Sequence, residues 1–486
     1  MTLGTAFGGF ANLCAMIYAA GNAGKGAIRP TSGGPPMPPK PTPRRAAQAL
    51  LAGVLDQGKM MSDLTGPTLD ALSPGDRATA QRLAAGTLRM LGGITVLLDA
   101  HLTRQPPDPV LRVLQMATYE LGTGGAAHGV VNDAVAMVGG MRKHRHLKGL
   151  ANAVLRKVAA DAPDRWAKLP PATLPPWLRR PIAKTWGKGR VRAIEAAHTR
   201  TPPLDLTARG DAAALAQAVG GTLLPTGSVR VPAGTQVSAL PGYDVGAFWV
   251  QDAAAALPVR LLGDVTGKRA LDLCAAPGGK TLQLAAGGAD VTAVDLSARR
   301  VARLRENLTR TGLTATVRVT DAFKISADKG LTPDQTGTQN TGPWDVVVLD
   351  APCTATGTLR RHPDLPHVKT AEAPDTLVAL QARLLDHALT VLAPTGRLVY
   401  CTCSLLPAEG EDQIAAALER HHDVQVVPPE ALRLGGNGPD GWPDGWPDEW
   451  KAPGGGLRLR PDHWGNHGGL DGFYMAVLQR RAPQPD

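Results

Sequence analysis

Two cysteines stand where strand-like runs of this chain end. The run Trp344–Asp350 (WDVVVLD) leads into Ala351-Pro352-Cys353-Thr354, and Arg397–Tyr400 (RLVY) leads into Cys401-Thr402-Cys403-Ser404. A thiolate in such a position is a nucleophile able to form a covalent intermediate. A single buried cysteine more often only packs, but two at neighbouring strand ends, with Asp350 beside one of them, favour chemistry over packing.

A third segment carries ligand-binding rather than nucleophilic character. It reads Leu271-Asp272-Leu273-Cys274-Ala275-Ala276-Pro277-Gly278-Gly279-Lys280-Thr281, a strand running through a glycine turn into a helix. Glycine lets main chain approach a ligand closely. Sixteen residues after Gly279, the run DVTAVD ends in Asp295, placed like the acid that accepts hydrogen bonds from ribose hydroxyls in nucleotide folds; Asp321 closes the next strand similarly. One aspartate alone is as readily a cap or turn former. The loop is not G-x-G-x-x-G and no Walker lysine is present, so the expected ligand bears a ribose without phosphates, and S-adenosylmethionine is such a ligand. Its expected contacts are Ala275, Ala276, Pro277, Gly278, Gly279, Lys280, Asp295 and Asp321. A looser glycine match, Gly122-x-Gly124-x-x-Ala127, follows a helical pattern and reads as a helix–helix connection.

These residues need a scaffold, and the pattern after residue 262 supplies one. Short apolar strands (RALDLC, DVTAVD, TVRVT, WDVVVLD, RLVYCT) alternate with helical runs, which predicts an α/β fold with a doubly wound, mostly parallel sheet over 263–482. In ARRVARLRENLTRTG, Val301, Leu304 and Leu308 share one face and Ser297 is the expected N-cap. Residues 44–160 show helical spacing throughout and predict an all-α domain, with fourteen basic against eight acidic side chains and a basic run from Arg142 to Lys148. That run is a solvated loop or a phosphate-contacting patch. Residues 161–262 read as a small mixed connecting subdomain. There Arg179, Arg180, Lys184, Lys188, Arg190 and Arg192 surround Trp177 and Trp186, a mix that packs or that holds phosphates and stacks on bases.

Composition bounds the setting. The chain has 486 residues, a net charge of +10 and 5 cysteines with no C-x-x-C pair, which excludes a disulfide framework or a thiolate zinc site and fits a reducing, cytoplasmic setting. The basic balance suits a polyanionic partner. No apolar stretch is long enough to span a bilayer, so no membrane role is expected. Residues 1–43 are expected to be disordered or extended, with 1–36 alternatively an upstream start ahead of Met37.

The segments LDLCAAPGGKT, LDAPCTATGTLRRHPD, YCTCSLLPAEGE and DGFYMAVLQR, with FWVQDAAAALP upstream, resemble the RNA cytosine-5 methyltransferases. From about Arg44 to Arg480 the arrangement resembles the bacterial RsmB (Fmu, Sun) family, whose members modify small-subunit ribosomal RNA. AHGVVNDAVAMV and LANAVLRK are similar to late helices of its NusB-like N-terminal domain. The resemblance implies a Rossmann-like methyltransferase sheet that uses S-adenosylmethionine on carbon 5 of a cytosine in 16S ribosomal RNA. It implies Cys403 as nucleophile, Cys353 as the residue that aids release, and Asp350 as the group orienting base or cofactor. Lys280 would lower a nearby thiol pKa or stand exposed at its helix start. Arg360, Arg361 and His362 would grip phosphates or stay solvated, and Cys274 would contribute backbone contacts; Cys401 and Cys14 would have no catalytic part. The target cytosine would be unpaired or flipped out, in immature or naked RNA, and the enzyme a monomer. Transfer RNA as substrate, or a non-catalytic RNA-binding role, are the alternatives. The family pattern is broken at His198–Pro202 and by extra loops at 325–343 and 435–450.

Overall fold

The computed structural model describes residues 42–326, 343–432 and 446–481. The expectations for 1–36 and for most of the two extra loops lie outside the described residues.

The chain begins with helices α1 Pro43–Leu55, α2 Met61–Leu69, α3 Pro74–Arg89, α4 Leu91–Asp99, α5 Asp108–Gly122, α6 Ala127–Gly139 and α7 Lys148–Arg165. Starts are written locally: Thr42 and Ser73 accept from the main-chain N–H groups of Arg45 and Asp76, and a proline occupies the first helical position after each. The apolar stripes close on one core that includes Leu50, Leu83, Ile94, Leu114, Val138 and Leu155. Gly122 ends α5 and Gly124 lies in the short connection to α6, so these glycines do mark a helix–helix junction.

Helix α8, Pro176–His198, breaks its helical geometry at Gly187 (φ 81°). It buries Leu178, Ile182, Val191 and Ile194 against Leu359, Leu365, Leu405 and Leu406, which belong to the segments following the two cysteine motifs. An antiparallel sheet follows, β1 Leu204–Ala208, β2 Thr222–Leu223, β3 Val229–Val231 and β4 Phe248–Val250 in the order β2-β3-β1-β4, with helix α9 Ala212–Val219. Buried Asp205 on β1 pairs with Arg230 at 2.6 Å and accepts from the N–H of Ala253, tying this sheet to helix α10, Ala253–Arg260.

The large sheet contains β5 Arg269–Leu273, β6 Asp290–Asp295, β7 Thr316–Val319, β8 Trp344–Asp350, β9 Leu392–Thr402, β10 Val424–Val426, β11 Leu457–Leu459 and β12 Phe473–Arg480. Its order is β10-β12-β9-β8-β5-β6-β7, with β11 on β12. Strands β5 to β9 are parallel; β10, β11 and β12 are antiparallel additions. Helices α11 Gly279–Ala286, α12 Ala298–Thr311, α13 Leu365–Val368, α14 Ala373–Thr390 and α15 Glu411–Arg420 complete the described helices. Central strands are covered on both faces and so read as continuous apolar runs. Along β8, Val346 and Val348 face one core while Val347 and Leu349 face the other. Ser297 caps α12, and Val301, Leu304 and Leu308 are its buried face. From β5 the chain moves one way to β6 and β7, then returns to β8 and β9 on the other side. The order therefore reverses between β5 and β8, where open α/β sheets bind ligands at the carboxyl ends of their strands.

Candidate active site

Strands β8 and β9 are adjacent and parallel, with Asp350 opposite Cys401. Their extensions run side by side, and Cys353 Sγ lies 3.5 Å from Cys403 Sγ. Both residues are half-buried, so the pair is packed yet reachable. Hydrogen bonding to Cys403, with burial, pushes the Cys353 thiol well above its ordinary range, so Cys353 keeps its proton. Burial pushes the Cys274 and Cys401 thiols up as well. Cys401 is fully buried at the strand end and donates to Asp350 Oδ1 at 3.6 Å.

The two loops are laced together. Gly357 N–H donates to the Cys403 carbonyl, Leu405 N–H to Thr356 Oγ1, and Gly472 N–H to the Gly357 carbonyl. A Cβ at Gly357 would lie 1.9 Å from the Gly472 carbonyl oxygen, so only glycine permits this approach.

Across the reversal of strand order, Lys280 Nζ meets Asp350 Oδ2 at 2.7 Å. Lys280 is 6% exposed, so the reading of an exposed helix-start lysine is corrected: its ammonium is buried 5.2 Å from the centre of the Phe473 ring. Burial works against its charge, but the Asp350 carboxylate outweighs it and holds the ammonium above its usual pKa.

The turn between β5 and α11 suits a ribose-bearing ligand. Cys274 (φ 60°) and Gly278 (φ 107°) turn the main chain outward, and a Cβ at Gly278 would press on Leu304 Cγ at 2.9 Å. Ala275 and Ala276 are buried beneath the turn, Pro277 is exposed at its tip, and Gly279 opens α11. Asp295, at the end of β6, accepts from the N–H groups of Ala276 and Ser297 and has the Arg300 guanidinium 3.5 Å away. A carboxylate has about four acceptor sites, so room for a hydroxyl donor remains. Asp321 follows β7 and accepts from the N–H of Phe323, the turn-forming bond of a lone aspartate, while still standing at the strand end. Asp272, buried on β5, is pushed up to about 7 by burial against the bond from Thr281.

Both readings of Arg360 and Arg361 are corrected, whereas of the two readings of Trp177 and Trp186 the packing one holds. Arg360 and Arg361 do not point to solvent: Arg361 binds Asp252 at 2.6 Å and Asp471 at 2.8 Å, and Arg360, 1% exposed, lies 3.6 Å from Asp471. Burial pushes Asp471 up to about 6, while the Arg361 guanidinium keeps Asp252 low despite its burial. The Arg361 guanidinium is taken up by two buried carboxylates, and Arg360 is enclosed with one N–H on the Gly468 carbonyl, so neither is presented to phosphates at the surface. Trp186 is a packing residue, flanked by Arg458 and Arg460 at 5.8 and 5.6 Å, and Trp177 packs on the core of α8. Arg179 pairs with Glu195, whereas Arg180, Lys184, Lys188 and Arg192 are exposed.

The structure adds residues to which sequence reasoning gave no role: Asp252, Asp471 and the fully buried Glu409. Each lies inside a segment that carried the family resemblance, which was the available signal; the arginine partner of Asp252 and Asp471, and Thr354 and Gln381 beside Glu409, are distant in sequence.

A parallel sheet with a glycine turn and carboxylates at its order reversal, opening beside a thiol pair, defines a methyltransferase of Rossmann-like fold. Residues 259–479 match the family described as 16S rRNA methyltransferase RsmB/F, and 41–160 match the NusB family. Ribosomal RNA small subunit methyltransferase B of Cronobacter sakazakii is 34% identical over 405 residues, covering 78% of this chain and 90% of that protein. Its counterpart in Sodalis glossinidius is 35% identical over 408 residues with the same coverage. The crystal structure of PH0851 shares the fold, with a TM-score of 0.64 and 20% identity over 90% of this chain and 99% of that one. The chain belongs to the RsmB/F family of rRNA methyltransferases, with a NusB-like helical region, and its methyl donor is S-adenosylmethionine.

Proposed function

We propose that this enzyme methylates carbon 5 of a cytosine in 16S ribosomal RNA through a covalent bond between Cys403 and carbon 6. The observation that carries this reading is the 3.5 Å separation of two half-buried sulfurs at adjacent strand ends. The names of the curated relatives support the choice of ribosomal over transfer RNA.

Carbon 5 of cytosine is a weak nucleophile, and attack by the Cys403 thiolate on carbon 6 moves an electron pair toward it. S-adenosylmethionine supplies the electrophilic methyl on a sulfonium. Asp350, fixed by Lys280 and 36% exposed, orients the base by accepting from its exocyclic amino group. Once methylated, carbon 5 gives up its proton to solvent, the ring double bond re-forms, and the carbon 6 bond to sulfur breaks with its electron pair returning to Cys403. Cys353, held as a thiol beside it, donates a hydrogen bond to the departing sulfur. The turn from Cys274 to Lys280, with Asp295 and Asp321, holds the methyl donor.

A base within a helix is out of reach of half-buried thiols, so the target is unpaired or flipped out, in immature or naked RNA. In this reading a monomer works in the cytoplasm, and residues 44–160, 161–262 and 263–482 serve as RNA-binding, connecting and catalytic parts. Among the described residues no helix is long and apolar enough to cross a membrane.

The test incubates the protein with labelled S-adenosylmethionine and either 16S rRNA or tRNA. Cys403→Ala should transfer no methyl, and Cys353→Ala should accumulate a protein–RNA adduct. Wild-type activity of Cys403→Ala refutes the nucleophile, and preferential labelling of tRNA refutes the substrate.

A further inference from the structure

Cys353 and Cys403 sit on loops that leave different strands, so something must hold one sulfur against the other. One buried carboxylate touches both loops. Glu409 has no exposed surface and lies in the short turn Pro407–Glu409. Its Oε1 accepts from Thr354 N–H at 2.9 Å and Gln381 Nε2 at 3.0 Å. Its Oε2 accepts from the hydroxyls of Thr354 and Ser404. Thr354 follows Cys353 directly, and Ser404 follows Cys403 directly. No cation pairs with Glu409 among the described residues, so four neutral donors replace its water.

We infer that Glu409 is a positioning residue that sets the spacing of the two thiols, so that Cys353 meets Cys403 in the geometry release requires. The inference rests on the two-thiol reading above. Three features support it. All four contacts can donate to Glu409, which suits a carboxylate with two acceptor oxygens. The Glu409 main chain is itself pinned, its carbonyl accepting from Tyr400 Oη and Thr402 Oγ1 of β9. Gln381, the fourth donor, also binds the Pro352 carbonyl, so α14 fixes the residue before Cys353 to the same centre. The Glu409 charge further helps to keep the proton on Cys353. In Glu409→Gln the amide oxygen can keep the Thr354 N–H and Gln381 bonds, but the NH2 then faces the Thr354 and Ser404 hydroxyls, which must turn to accept from it and no longer donate to one shared anionic oxygen, so the link between the two loops is loosened. A shift of about 1 Å in a reacting group slows a step by up to about 100-fold.

The experiment uses the full chain and two readouts. The first treats wild type, Glu409→Gln, Thr354→Val and Cys353→Ala with dibromobimane, which loses two bromides and becomes fluorescent when it joins two neighbouring thiols. The second follows adduct and methyl incorporation with S-adenosylmethionine and 16S rRNA. Glu409→Gln is expected to bind S-adenosylmethionine as wild type does, to crosslink more slowly, and to release RNA about 10- to 100-fold more slowly, with adduct accumulating as in Cys353→Ala. Thr354→Val, which removes one hydroxyl, should shift both readouts less in the same direction. Wild-type crosslinking and release in Glu409→Gln overturn the inference. So does parallel loss of cofactor binding and adduct formation in a folded Glu409→Gln, which marks a general structural role. If Glu409→Gln does not fold, Thr354→Val decides by the same two rates. A Cys353→Ala protein that traps no RNA refutes the two-thiol chemistry, while crosslinking still judges the spacing.

Discussion

Lys280 Nζ lies 2.7 Å from Asp350 Oδ2, joining the first turn of α11 to the end of β8 across the reversal of strand order. The cofactor turn and the Cys353 loop are therefore one electrostatic unit. Lys280 is also 5.2 Å from the Phe473 ring, so β12 closes over the pair.

Lys280→Met keeps the stem and removes the charge. It leaves Asp350 without its cation in a partly enclosed site; with Asp350 36% exposed, the expected loss is about 1–2 kcal/mol, below that of a fully buried pair. Urea unfolding measures it. The same variant should lower kcat more than cofactor affinity, because Asp350 loses its fixed orientation; an unchanged kcat contradicts the orienting role.

His463 gives a pH signature. Its ring stacks on Trp450 at 6.1 Å, Nδ1 accepts from Arg460 N–H, and only 2% of the residue is exposed. Burial, then the Arg460 and Arg190 charges, lower its pKa from 6.5 to about 3. The unfolded chain thus takes up a proton below 6.5 that the folded chain refuses, so this contribution is present above pH 6.5 and is lost as pH falls toward 3. His463→Asn retains an acceptor without titrating. Between pH 6 and 4 its unfolding free energy should fall less steeply than that of wild type, by up to about 1.4 kcal/mol per pH unit. Parallel curves would falsify the assignment.

Arg180 and Lys184 before the break at Gly187, and Lys188 and Arg192 after it, are exposed on α8, whose buried side chains pack on the segments following both cysteine motifs. Charge reversal of all four should weaken RNA binding uniformly across sequences. It should also flatten the salt dependence of binding by about 0.7–0.9 log units of affinity per log unit of salt for each phosphate that is no longer neutralised. Filter binding from low to high salt measures this. An unchanged slope removes α8 from the RNA path.

Much of the scaffold was readable in advance because its causes are local. The WDVVVLD and DVTAVD strands follow from apolar runs, and α12 follows from a capping serine with Val301, Leu304 and Leu308 on one face. The strand-end positions of Asp295, Asp350, Cys353 and Cys403 follow from where those runs stop. Arg360 and Arg361 were misjudged because their carboxylates, Asp252 and Asp471, lie more than 100 residues away. A pair of arginines beside a turn looks solvated until such partners are brought in. Trp186 was ambiguous for the same reason: whether it faces nucleotides or Arg458 depends on β11, far along the chain.

The amino-acid order by itself determined which residue types end each parallel strand, where the glycine turn opens α11, and that two thiols are carried by consecutive strands of one sheet, since propensity, period and turn chemistry act over a few residues. Only the tertiary structure decided that those sulfurs face each other at 3.5 Å, that Lys280 is spent on Asp350, and that Glu409 binds both cysteine loops. Those are distances between side chains 50 or more residues apart, except that Glu409 and Ser404 are close neighbours. They are set by strand order and packing, and no local rule encodes them.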